Sequence, residues 1–183
     1  MIRFLDFFFS FAGLIILSPL LILLWIIVLF KNGSPIFKQY RVGYGEKLFL
    51  LIKFRTLPIN TKSCETHSII KNLKVTPFSL FLRRTKLDEV PQLINVLLGD
   101  MSLVGPRPCL PNQRRLVIER KKRKIFKVRP GITGLAQLSD INMSTPVILA
   151  KTDFKMIKKM NLYYYFYYIF KTLFLLIKNK FFY

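Results

Sequence analysis

Acidic residues are scarce in this chain. Nine Asp and Glu stand against thirty Lys and Arg, a formal net charge of +21 over 183 residues. Histidine is rarer still: His67 is the only one, which excludes histidine-based catalytic triads and His-rich metal centres. It sits in a polar stretch and reads as a surface residue. The two cysteines, Cys64 and Cys109, have no metal-ligand spacing and form no disulfide framework. No internal repeat is present, and no linker divides the chain. Its length suits one modest domain with a buried core.

Apolar residues are abundant. They make up 52% of the chain, and the mean hydropathy is +0.35. High basicity combined with high hydrophobicity points to a protein on an anionic membrane surface. Eighteen Phe, eight Tyr and one Trp fit, because aromatic rings favour the headgroup region. A nucleic-acid binder is disfavoured: the apolar segments belong with lipid, and no recognition motif is present.

The longest apolar segment runs from Phe7 to Phe30 without a charge, long enough to cross a bilayer. A signal peptide is disfavoured by its length and by the lack of a small-residue cleavage site. Ser18-Pro19 falls in mid-run. Proline removes a helical hydrogen bond and kinks the helix, and the serine hydroxyl can take up a freed carbonyl. Two topologies fit, a kinked spanning helix and a re-entrant pair of half-helices, and hydropathy does not separate them.

Residues 35–57 read as a β-hairpin turning at Gly43-Tyr44-Gly45, with Leu48–Ile52 as a short apolar strand ended by Lys53-Phe54-Arg55. Residues 58–76 read as a polar, mobile loop. Residues 78–98 have helical spacing through Leu87, Val90, Ile94 and Leu97, with Gly99 as a stop. The segments 102–111 and 128–138 are marked by Gly and Pro as loops. Residues 112–127 form a basic helix (Arg114, Arg115, Arg120 to Lys124), read as a solvated or membrane-surface face. From about Asp153 the chain is helical and aromatic. Lys171 and Lys178 favour a helix lying in the interface over a second span.

Against the shortage of acids, the adjacent Asp88 and Glu89 stand out. Arg83, Arg84 and Lys86 precede them, and Pro91 follows. Proline is tolerated in the first turn of a helix, so Asp88 is placed at or near a helix N-terminus. That position and the basic flank favour an ionised carboxylate and an incoming phosphate. An ionised Asp beside a diphosphate is a candidate nucleophile, with Mg²⁺ and Arg/Lys neutralising charge. Neighbouring helix residues diverge by about 100°, which gives the two acids different tasks. The plain alternative is a helix cap with an Arg84–Asp88 ion pair. Three further pieces supply phosphate donors: Lys53 and Arg55 at a strand end, Arg107 between prolines, and Arg129 before Pro130-Gly131.

The order KFRT (Lys53–Thr56), LRRTKLDEVPQLINVLLGDMSLVGPRP (Leu82–Pro108) and VRPGITGLAQ (Val128–Gln137) resembles the bacterial sugar transferase family, the monotopic phosphoglycosyl transferases, in its small form. The likeness runs from the apolar N-terminal segment to about Asp153. It implies an α+β, mainly helical fold. Residues 1–32 would form a re-entrant membrane helix hairpin broken at Ser18-Pro19. Residues 33–183 would form a catalytic domain on the cytoplasmic face of the bacterial inner membrane, with a short β-hairpin and amphipathic interfacial helices, the C-terminal one included. The implied reaction transfers a sugar phosphate from a UDP-sugar, N-acetylated in similar small members, to undecaprenyl phosphate, releasing UMP. Asp88 would be the nucleophile and Glu89 its partner, both at a Mg²⁺ ion. Lys53, Arg55, Arg83, Arg107 and Arg129 would hold phosphate.

Four departures from the family pattern stand out. Leu57 replaces the usual Met and Val90 the usual Leu, both mild. Asn142 stands where related small members carry Asp, which leaves Asp153 as the next acid for a substrate role. The stretch 58–76 carries no family motif and is assigned to sugar choice. The rivals are a non-catalytic basic scaffold on the membrane and a transferase that moves the sugar alone and releases UDP.

Overall fold

The structure is a computed structural model that describes residues 1–58 and 76–181, with side chains to residue 178. Cys64, His67 and most of the polar stretch assigned to sugar choice lie outside the described residues. The protein is mostly helical, with one short antiparallel hairpin.

Helix α1 spans Ile2–Asn32 and contains Pro19. The helix continues through the proline, so the expected break at Ser18-Pro19 does not interrupt it. Pro19 has no N–H to offer the carbonyl four residues back, and that carbonyl belongs to Ile15. Ser18 Oγ donates to Ile15 O at 2.7 Å instead, so the freed acceptor is satisfied. The helix is long and apolar enough to cross a membrane, and the body covers little of it.

Both ends of α1 are tied to the body. Near the start, Arg3 donates to the carbonyls of Met101 and Leu97 at 3.3 and 3.2 Å. Asp6 is 2% exposed. Its Oδ1 accepts from Ser102 Oγ and Leu103 N, both at 3.0 Å, and from Tyr165 Oη at 2.9 Å. At the far end, Leu24 and Val28 pack with Phe54 and Leu82, and Asn32 Nδ2 donates to Arg55 O at 2.8 Å.

Strands β1 (Ile36–Val42) and β2 (Leu48–Phe54) pair antiparallel, with Phe37 opposite Lys53 and Arg41 opposite Phe49. The turn is a 3₁₀ segment, Tyr44–Glu46, with Gly45 at φ +62°. A two-stranded sheet leaves an open edge of polar groups. Asn95, 1% exposed, closes part of that edge. Its Oδ1 accepts from Ile52 N at 3.0 Å, and its Nδ2 donates to Leu50 O at 2.8 Å. The strand carrying Lys53 is thereby fixed to the helix that follows Asp88 and Glu89.

The helical pattern at 78–98 resolves into three pieces. They are α2 (Pro77–Arg84), a 3₁₀ turn at Leu87–Glu89, and α3 (Gln92–Leu98), which ends on Gly99 at φ +91°. Lys86 at φ +54° breaks the first from the second. Two three-residue strands, β3 (Ser102–Val104) and β4 (Gly131–Thr133), pair in parallel, within segments read from sequence as loops. Their crossing demands glycine on both sides: a Cβ on Gly131 would lie 2.0 Å from Gly105 N, and one on Gly105 would lie 2.5 Å from Arg129 O.

Helix α4 (Arg114–Lys122) follows, then a short α5 (Leu135–Leu138), α6 (Pro146–Lys159) and α7 (Leu162–Phe181). One face of α7 buries Tyr165 and Tyr168 beside Met156 and Val104. The other exposes Tyr163, Tyr167, Phe170 and Phe174. Phe166 meets Phe9 edge to face at 6.1 Å, so the aromatic surfaces of α1 and α7 adjoin.

Candidate active site

Asp88 does not cap a helix. It lies in the 3₁₀ turn between α2 and α3, and Pro91 takes the cap position of α3. The turn is held by Glu89 N donating to Lys86 O at 3.0 Å and Val90 N donating to Leu87 O at 3.3 Å. The side chain is buried, 5% exposed, and no hydrogen bond from a described residue reaches its carboxylate. Arg84 forms no ion pair with it among the described residues.

From sequence, the basic flank should favour the ionised form of Asp88. Burial wins instead. It pushes the Asp88 carboxyl up to about 6, Glu89 adds to the rise, and Lys53, Arg83 and Arg107 oppose it. A desolvated carboxylate with no donor is costly unless a cation joins it.

Glu89 behaves differently. Burial would raise it, but Arg107, Lys86 and Lys53 outweigh burial and hold it below the usual carboxylate range. Arg107 Nη2 donates to Glu89 Oε1 at 3.0 Å. Arg107 is raised in turn, chiefly by Glu89. Lys53 is lowered by burial, with Asp88 and Glu89 resisting. Its Nζ lies 5.3 Å from the centre of the Phe37 ring.

Lys53, Arg83, Asp88, Glu89 and Arg107 therefore share one site. Arg83 keeps one buried guanidinium nitrogen, Nη1, without a described partner, a donor free for an anion. The other residues named from sequence make these contacts. Arg55 donates to Ile36 O at 3.3 Å and, like Lys53, lies by the Phe37 ring, 5.6 Å from its centre. Arg129 donates to Gly99 O at 2.7 Å and lies over Tyr44. Asp153 is 1% exposed and bonded to Arg120 at 2.7 Å. Asn142 is exposed, and its Oδ1 accepts from Ser144 N at 2.9 Å in a turn. Ser18 and Pro19 lie within α1.

Two residues escaped the sequence argument. Arg41 is lowered to about 10 by burial and by Arg107, with Cys109 and Glu89 resisting, which places it at the same cluster. Strand alternation carried the signal, because Phe37, Gln39 and Arg41 share the face that bears Lys53. Arg120, assigned to a solvated face, is 2% exposed. It lies four residues after Leu116, on the buried side of α4.

Five cations, Arg41, Lys53, Arg83, Lys86 and Arg107, thus act on one or both of the two carboxylates. The excess of positive charge suits a diphosphate. No group of three metal-ligating side chains exists among the described residues, so a resident all-protein metal cage is not built here. A Mg²⁺ ion shared with substrate needs only one or two carboxylates plus phosphate oxygens. The donor-free Asp88 carboxylate beside Glu89 fits that arrangement.

Known proteins show the same assembly of segments. A family model described as bacterial sugar transferase matches residues 1–179. An uncharacterized sugar transferase, EpsL, of Bacillus subtilis (strain 168) is 42% identical over 117 residues, 63% of this chain and 57% of that protein. An undecaprenyl-phosphate galactose phosphotransferase of Salmonella typhimurium is 39% identical over 145 residues, 70% of this chain and 30% of that protein. A putative undecaprenyl-phosphate N-acetylgalactosaminyl 1-phosphate transferase of Bacillus subtilis is 41% identical over 111 residues, 60% of this chain and 62% of that protein. The chain spans between 30% and 62% of the length of these relatives. With nearly its whole length matched, the chain belongs to the bacterial sugar transferase family.

Proposed function

We propose that the protein is a phosphoglycosyl transferase that moves a sugar phosphate from an N-acetylated UDP-sugar to undecaprenyl phosphate and releases UMP. The observation that carries this reading is the Asp88 carboxylate, buried without a described donor beside Glu89 and faced by Lys53, Arg83 and Arg107. The relatives named for undecaprenyl-phosphate sugar phosphotransfer support it.

In the first step an Asp88 oxygen attacks the sugar-bearing phosphorus of the UDP-sugar. The P–O bond to the bridging oxygen breaks, and its electron pair leaves with UMP. In the second step a phosphate oxygen of undecaprenyl phosphate attacks the same phosphorus. The acyl-phosphate bond breaks, Asp88 regains its carboxylate, and the sugar diphospholipid departs. Lys53, Arg83 and Arg107 hold the phosphates and neutralise the charge that develops on them. Asp88 and Glu89 would hold Mg²⁺, which when bound lowers the charge repulsion between a carboxylate and a diphosphate. Arg107 keeps Glu89 ionised for that task.

The protein sits on the cytoplasmic face of the bacterial inner membrane through a re-entrant α1. The anchoring of both ends of α1 to one body supports that seat, as does the exposed aromatic face of α7 beside it. Anionic lipids attract the surplus positive charge.

The test uses membranes containing the protein, a panel of UDP-sugars, Mg²⁺ and undecaprenyl phosphate, with the released nucleotide identified by chromatography. UMP is expected with at least one N-acetylated UDP-sugar. Release of UDP would identify a transferase of the sugar alone, and no release with any donor would favour the scaffold.

A further inference from the structure

Arg107 reaches Glu89 from a loop whose main chain is gripped from two sides. Arg120 Nη1, from α4, donates to the Arg107 carbonyl at 2.7 Å. Arg41 Nη1, from β1, donates to the next carbonyl, that of Pro108, at 3.1 Å. Behind Arg120 stands Asp153 of α6, whose Oδ2 accepts from Arg120 Nε at 3.0 Å and Nη2 at 2.7 Å.

A buried ion pair is a poor source of stability, because desolvation offsets its Coulomb attraction. This one carries a further cost, since Asp153 Oδ1 is buried with no partner among the described residues. An apolar pair would fill the space at lower cost. It could not aim a donor at a carbonyl. The guanidinium is a rigid planar fork: with Nε and Nη2 held on Asp153, the direction of Nη1 is set, and it donates to Arg107 O. The loop needs that support. The Arg107 side chain is 44% exposed and would otherwise spread over many rotamers.

We propose that Asp153 and Arg120 are positioning residues for Arg107: their ion pair fixes the Arg107 carbonyl, and so the guanidinium that grips Glu89, while Arg41 fixes the following carbonyl. Neither residue touches substrate. Catalytic geometry lost by about an ångström can cost about a hundredfold in rate. The inference rests on the transferase reading above.

The experiment is a double-mutant cycle on the full chain in membranes, with saturating undecaprenyl phosphate and UMP release as readout. Arg120→Lys keeps the charge but cannot hold Asp153 and the Arg107 carbonyl together. It is expected to lower kcat about 10–100-fold, with the KM for UDP-sugar changed less than about threefold. On an Arg107→Ala background the same substitution is expected to cost less than about twofold, because its effect passes through Arg107. A full, additive loss on that background would overturn the inference. If Arg120→Lys does not reach the membrane fraction, Asp153→Asn replaces it with the same expected outcomes. Loss of both variants from the membrane would assign the pair to folding and overturn the proposal. An unsubstituted protein without turnover would overturn the transferase reading and this inference with it. Additivity in an active enzyme overturns the inference alone.

Discussion

Asp88 is held in the fold at a cost. Its carboxyl is raised from the ordinary 3.8 to about 6, chiefly by burial. For an acid raised on folding, the folded state binds the proton more tightly than the unfolded one. The penalty is absent below pH 3.8, grows between 3.8 and about 6, and is complete above that, reaching roughly 3 kcal/mol. Asp88→Asn removes the charge and keeps the shape. In the metal-free protein with EDTA, the variant should melt several degrees higher at pH 7.5, and the gain should vanish near pH 4. A lower melting temperature at neutral pH would mean that Asp88 serves the fold as a cap or ion-pair partner. The same variant should lose all UMP release while remaining in the membrane fraction. Glu89 pairs with a half-exposed Arg107, and such pairs contribute little to stability. Arg107→Gln should therefore change the melting temperature by little and lower turnover at least tenfold, with the two quantities measured on one preparation.

Among the elements, the pairing of β3 with β4 sets the frame for the Arg107 loop. Gly131 and Gly105 cross with their backbones in direct contact, so Gly131→Ala should abolish folded protein in the membrane fraction. Gly45 is the contrasting case. Its φ is +62°, but nothing lies within 4 Å of an added Cβ. Gly45→Ala should cost about 1 kcal/mol and leave activity in place, as read by thermal unfolding and UMP release. This pairing was invisible in the sequence, because two strands of three residues show no period and their Gly and Pro read as turns. The β1–β2 hairpin was legible, since Gly43-Tyr44-Gly45 separates two apolar-alternating runs. The break between α2 and α3 was legible only through Pro91, which set a helix start near Asp88, because the apolar spacing carries on through Lys86. Within the site, Lys53, Arg83 and Arg107 were found through their motifs. Arg55, Arg129 and Asp153 share the motif chemistry, but the hydrogen bonds they make go to carbonyls or to Arg120. Arg41 and Arg120 were overlooked because a charged residue on a strand or in a basic helix reads as solvated until its face is considered.

The whole molecule joins an exposed apolar and aromatic surface to the body that carries the Asp88 cluster. Its α1 and α7 present aromatic rings outward, and a net charge of +21 surrounds a cluster that takes anions. Binding to anionic vesicles should weaken as salt rises from 0.05 to 0.5 M, by ~10-fold or more for the surface-charge contribution. A cysteine introduced before Ile2 should label only after the cytoplasmic side is opened; labelling of intact cells from outside would show that α1 crosses the bilayer. In the proposed reaction a soluble donor and a lipid acceptor would meet at this one site, and a covalent Asp88 intermediate would let them do so in turn. The most direct test is mass spectrometry of the protein incubated with UDP-sugar and Mg²⁺ but no acceptor. The account predicts a sugar-phosphate adduct on the peptide carrying Asp88, absent in Asp88→Asn and discharged when undecaprenyl phosphate is added. An active enzyme with no adduct, or with the adduct on another residue, would contradict it.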